Sequence, residues 1–205
     1  PLFLSKDPLT QTNSLAYLNL DAQGNLAWDG QSFTNPPFTL AIPCSAVAAA
    51  GAEPARGVVL GHGLFGTGRE FVDQLIGAKV FEQVRFVAGA TDWRGLSKGD
   101  IDPLSQSFVV NQVLLDFDHF AALPDRLRQG QLNTLVLSHL MRSGVLNRHP
   151  AFQSPSGQGV ISGELMNYFG GSLGGIMGTM FAALSPDTIN LNLDVPGINF
   201  SCLLQ

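Results

Sequence analysis

The stretch 165–184 constrains the chain more than any other. A mostly apolar run, 165–169, passes through Gly170-Gly171-Ser172 into the almost wholly apolar run 173–184, which stops at Ser185-Pro186. A short apolar run closed by glycines reads as a buried strand, and a longer one closed by proline as a buried helix. Gly174, Gly178 and Ala182 recur every four residues along one face of that helix, which lets it lie close against a sheet. Strand, tight turn and helix in direct succession belong to α/β architecture. The same pattern, apolar runs ending in turn residues and followed by helical stretches, recurs at 58–60, 85–90 and 189–195. Strands alternating with helices predict a mostly parallel sheet flanked by helices. Upstream, 15–20 and 38–42 are apolar stretches separated by Asp21-Ala22-Gln23-Gly24 and Asn35-Pro36-Pro37, which predicts an opening β meander over 1–56. With 205 residues, 45% of them hydrophobic, the chain suffices for one core, so 1–205 reads as a single domain.

Between the strands at 85–90 and 165–169 lies a helical insertion, 103–150. Val110, Val113, Leu114, Phe117 and Ala121 form one stripe at helical spacing. After a break at Pro124 and Gly130, Leu132, Leu135, Val136 and Leu140 form another. Phe108, Val109 and Leu115 are extra apolar residues off the first stripe, facing the core, a cleft or a partner. Residues 150–160 are rich in Pro, Ser, Gly and Gln and read as a loop.

The pattern Gly-x-Ser-x-Gly occurs twice, at Gly95-Leu96-Ser97-Lys98-Gly99 and at Gly170-Gly171-Ser172-Leu173-Gly174. Only Ser172 stands between a strand and a helix. A serine on such a strained turn has its hydroxyl exposed, and glycines two before and two after it let strand and helix approach. Ser97 leads into Lys98-Gly99-Asp100, which is loop, and so reads as structural. A second glycine-rich segment, Gly61-His62-Gly63-Leu64-Phe65-Gly66, follows the strand at 58–60 and precedes a helix expected over 69–79. A loop of this kind aims backbone N–H groups at an oxyanion. The alternative, a phosphate-binding loop, lacks the Lys-Ser/Thr pair that chemistry requires.

Taken with Thr91-Asp92-Trp93-Arg94-Gly95 after the strand at 85–90, these segments resemble the α/β-hydrolase superfamily, most closely its bacterial lipases and esterases, over 58–198 outside the insertion. The resemblance implies that Ser172 is the nucleophile, that the backbone N–H groups of Leu64 and Leu173 form the oxyanion hole, and that Gly63, Gly170 and Gly174 shape the loop and the elbow. It implies a bracing role for His62 and a turn-stabilising role for Asp92 and Arg94. The position and apolar excess of the insertion 103–150 suggest a lid or cap over an acyl pocket. Ester or lipid-like small molecules are the expected substrates, and neither a metal nor an organic cofactor is needed.

One part of the expected machinery is absent. A catalytic serine needs a base and an orienting acid, which in this family follow it in the order acid, then histidine. His62, His119, His139 and His149 all precede Ser172, and the only later acids are Asp187 and Asp194. The fold therefore reads as incomplete in this chain, with a second polypeptide or C-terminal segment supplying both groups. Alternatively His119, flanked by Asp116 and Asp118, is recruited from the insertion, or the protein is a non-catalytic binder on the same fold. An amidase or acyltransferase would use the same groups.

Charge and composition exclude other classes. Eleven basic against sixteen acidic residues, with no basic cluster, leave no footprint for nucleic acid. No apolar run approaches the ~20 residues of a membrane-spanning helix. The two cysteines, Cys44 and Cys202, are too few for a disulfide framework, and the chain opens on Pro1; a secreted or periplasmic location is the expectation.

Overall fold

A computed structural model describes residues 4, 17–28, 30–31, 35–47, 53–100 and 108–197. Five strands form one sheet: β1 (Phe38–Ala41), β2 (Arg56–Gly61), β3 (Phe86–Thr91), β4 (Met166–Gly171) and β5 (Thr188–Asp194). Their order across the sheet is β1-β3-β2-β4-β5. All neighbours are parallel except β1, which runs antiparallel to β3 at one edge. This is the α/β arrangement expected.

The central strands are apolar on both faces because both are covered. Val58 and Leu60 of β2, with Ala88 and Ala90 of β3, pack against Val72 of α2 (Gly68–Gly77). Alternation sends Val59 and Val87 to the opposite face. There they join Leu137 and Met141 of α5 (Ala122–Arg142) and Met177 and Phe181 of α6 (Leu173–Leu184). Thr67 caps α2, its hydroxyl accepting from the Glu70 N–H at 3.0 Å. Short helices α1 (Cys44–Val47) and α3 (Val80–Gln83) complete the β1 to β3 region.

Several expectations need correction. Of the meander, the described residues hold only β1 and two isolated bridges, Leu4 to Leu18 and Leu20 to Leu26. The insertion does contain two helices, α4 (Val109–Leu115) and α5, but neither Pro124 nor Gly130 interrupts α5. Pro124 stands in the first turn, where its missing N–H costs no hydrogen bond. Gly130 lies mid-helix because its bare Cα rests on the backbone of Arg94; a Cβ there would sit 2.8 Å from Arg94 N. The face of α5 that meets the sheet is Arg126, Gly130, Asn133, Leu137 and Met141, whereas Leu132, Leu135 and Leu140 are half-buried and Val136 is exposed. Leu132 and Leu135 line a cavity with Leu18 and Leu26 of the N-terminal segment, Leu135 also packing on the main core, and Leu18 N–H donates to Asp125 Oδ2 at 3.0 Å. Of the first expected stripe, Val110 and Val113 in α4 are buried, but Leu114 and Phe117 are exposed, and Val109, expected off the stripe, is fully buried. Residues 101–107, the start of the expected insertion, lie outside the described residues, as does Cys202.

Strand β5 pairs with β4 and has no second neighbour among the described residues; Ile189 and Leu191 on it are exposed. Among those residues no helix is long and apolar enough to cross a membrane.

Candidate active site

Strand β4 ends at Gly171 and α6 begins at Leu173, so the whole turn is one residue, Ser172. It has φ 54° and ψ −116° and is exposed. A non-glycine residue at this φ/ψ carries on the order of 1–3 kcal/mol of backbone strain and persists only where its surroundings dictate it. They do so here through main-chain bonds: Ser172 N–H donates to Asp194 O at 3.0 Å, and Ile176 N–H donates to Ser172 O at 3.1 Å. The glycines on either side admit a backbone-to-backbone contact. A Cβ on Gly174 would collide with the Gly61 carbonyl, and one on Gly170 with the Gly174 carbonyl. Tyr168, almost fully buried, donates its hydroxyl to Gly174 O at 2.6 Å. Burial pushes its phenol pKa far up, so it remains a donor.

Because β2 and β4 are parallel neighbours with Gly61 beside Gly170, the loop after β2 emerges next to Ser172. A Cβ built on Gly63 would lie 3.8 Å from Ser172 Cβ, an ordinary contact. Phe65 N–H reaches Leu96 O at 3.0 Å and Gly66 N–H reaches Gly63 O at 3.1 Å; Leu64 N–H takes no part in these bonds. Leu173 is the first residue of α6, where a backbone N–H has no acceptor within the helix and the helix dipole is positive.

His62 is 1% exposed and both ring nitrogens are engaged: Nε2 accepts from Trp93 N–H at 2.8 Å, and Nδ1 lies 2.7 Å from Gly63 O. The Trp93 bond leaves Nε2 without a proton, so Nδ1 carries it and donates to Gly63 O. Burial lowers its pKa below the ordinary histidine value, and the ring is a neutral brace between two loops. Asp92 accepts the Gly68 N–H at 2.8 Å, fixing the start of α2, and Gly130 packs on the Arg94 backbone, so both residues sit in a tied turn. Ser97 is buried, its hydroxyl donating to Asp100 Oδ2 at 2.6 Å, while Gly95 N–H and Ser97 N–H donate to the same oxygen. It has the structural place expected.

No histidine hydrogen-bonds Ser172. His119 Nδ1 pairs with Asp116 at 2.9 Å on its own turn, and His149 Nδ1 accepts from Ala151 N–H. His139 pairs with Asp187 at 3.1 Å, and Arg142 holds the other oxygen at 2.6 Å. Asp187 precedes β5, and Met166 opposite Thr188 opens β4, so this cluster lies at the end of the sheet opposite Ser172. Asp194 lies at the same end as Ser172, through its carbonyl. Sequence reasoning missed the buried pair Arg126 to Asp100, whose partners stand 26 positions apart and read separately as a helix charge and a loop acid. It also gave Tyr168 no role.

Two cavities share Ser172 as a wall. One, of about 330 Å³, is lined by His62, Gly63, Thr67, Glu70 and Gln74. The other, of about 310 Å³, is lined by Leu64, Leu96, Val110, Leu114 and Ile176. A larger cavity of about 540 Å³ beside Cys44 and Lys79 shares no residue with them. No group of three potential metal ligands occurs among the described residues. Neither a protein-family model nor a curated protein matches the chain.

Proposed function

We propose that this chain carries the nucleophile and oxyanion site of a serine hydrolase of the α/β-hydrolase kind, acting on carboxylic esters. The observation that carries the reading is the strained conformation of Ser172, held between β4 and α6 and facing the Gly63 loop. Such strain persists where it exposes a reactive side chain. In this reading Ser172 Oγ attacks the ester carbonyl carbon and passes its proton to a histidine. The carbonyl oxygen, now an anion, is held by the N–H groups of Leu64 and Leu173. The bond to the alcohol breaks, the alcohol takes the proton, and water repeats the sequence to release the acid and restore Ser172. The histidine and its acid come from a segment outside these 205 residues, since all four histidines of the chain are placed elsewhere. Strand β5 has no second neighbour among the described residues, and a further strand there would suit that source.

The placement of the histidines also favours a second reading, a non-catalytic protein of the same fold that binds ligands beside Ser172. Treatment with a fluorophosphonate, followed by intact mass spectrometry and peptide mapping, separates the two. The hydrolase reading expects one covalent adduct on Ser172, absent in Ser172→Ala. A sample holding every polypeptide of the native protein yet showing no adduct removes that reading.

A further inference from the structure

The two cavities that meet at Ser172 differ in chemistry, and a two-step acyl transfer uses its two sides differently. The acyl group stays bonded to the serine through both steps and needs no water. The leaving group must depart, take a proton and be replaced by water, so its side has to be open and polar. The cavity lined by Leu64, Leu96, Val110, Leu114 and Ile176 is mostly apolar, with Asn111 on its wall, and is the more enclosed, whereas the other is more open and carries Thr67, Glu70 and Gln74 beside Leu64, Phe71 and Val195.

From this contrast, and resting on the hydrolase reading, we infer that the apolar cavity between α4 and α6 takes the acyl chain, that its size limits the chain to medium length, and that the leaving group is a polar alcohol. At about 310 Å³ the cavity stands at the small end of ligand sites, which run from about 300 to 1,000 Å³, so it takes a medium-length and not a long acyl chain. The floor is fixed: Leu96 and Val110 are buried in the core and do not retreat. Leu114 is 39% exposed and stands at the rim, and Ile176 lies one turn along α6 from Ser172. These two side chains are the specificity determinants. Longer chains must leave over Leu114 into water and lose the gain from burial.

The test is the rate of covalent labelling of the full protein by a series of alkyl fluorophosphonates, butyl to hexadecyl, read by intact mass. Burial of each methylene raises the rate about three- to fourfold where the cavity has room. The expected profile therefore climbs from butyl to octyl or decyl, then levels off to hexadecyl. Leu114→Trp, which fills the rim, moves the start of the plateau to shorter chains; Ile176→Ala, which enlarges the cavity, moves it to longer ones. The ratio of each rate to the butyl rate is the readout, because it cancels any loss of folded protein. Labelling of Ser172 with a flat profile, or a profile that neither variant moves, overturns this inference and leaves the hydrolase reading standing. Failure of every probe to label overturns both.

Discussion

Ser172 is an L-residue held at φ 54°, and that has a measurable cost. Alanine at this position retains the strain and glycine relieves it. Ser172→Gly is therefore expected to unfold at a higher urea midpoint than Ser172→Ala, by about 1–2 kcal/mol; equal midpoints would show that the turn is unstrained. His62 gives a pH-dependent case. Its pKa is lowered in the fold by burial, so below the ordinary value near 6.5 the unfolded chain binds a proton that the native state resists. The stability that His62 contributes is complete above that pH and is lost as pH falls towards the depressed value. Urea midpoints measured from pH 7.5 down to 5 should drop faster for the wild type than for His62→Gln; parallel curves would refute the assignment. At this scale the sequence was informative where a residue has to be small. The elbow prints itself as Gly170, Ser172 and Gly174 at fixed offsets, since backbone contact tolerates nothing larger. The Asp100 and Arg126 pair leaves no such mark, because charges in a loop and on a helix look alike whether buried or solvated.

Among the elements, α5 departs furthest from its pattern. Its leucines suggest one buried face, yet the face on the sheet is built of Gly130, Asn133 and Arg126 around Leu137 and Met141. Proximity decided this: the helix approaches the turn after β3 closely enough for Gly130 to touch the Arg94 backbone, while Leu132 and Leu135 also line a cavity with Leu18 and Leu26 of the N-terminal segment. In an exposed helix Gly→Ala gains about 1 kcal/mol. Here Gly130→Ala should lose about 1–3 kcal/mol by thermal melting, because the added methyl is forced against main chain. Asp100→Asn should cost more, about 3–5 kcal/mol, since it leaves the Arg126 guanidinium buried without its carboxylate. A change under 1 kcal/mol would mean that the pair is not fully desolvated.

For the molecule as a whole, the sheet ends on two edge strands, β1 and β5, neither with a second neighbour among the described residues, and β5 carries Ile189 and Leu191 exposed. Open edges of this kind template further pairing. Light scattering of the isolated chain should rise with concentration, and Leu191→Lys should suppress the rise; a monodisperse wild type at every concentration would contradict this. The hydrogen bond from Ser172 N–H to Asp194 O ties that same exposed strand to the turn that carries Ser172. Local opening of β5 therefore releases the amide that fixes the serine, and whatever binds along β5 tightens it. By mass action the dependence runs in both directions: a ligand that binds reversibly at Ser172 and favours its held amide should strengthen any binding along β5 by the same factor. The most loosely covered strand of the protein thus works as a thermodynamic lever on its most tightly specified residue.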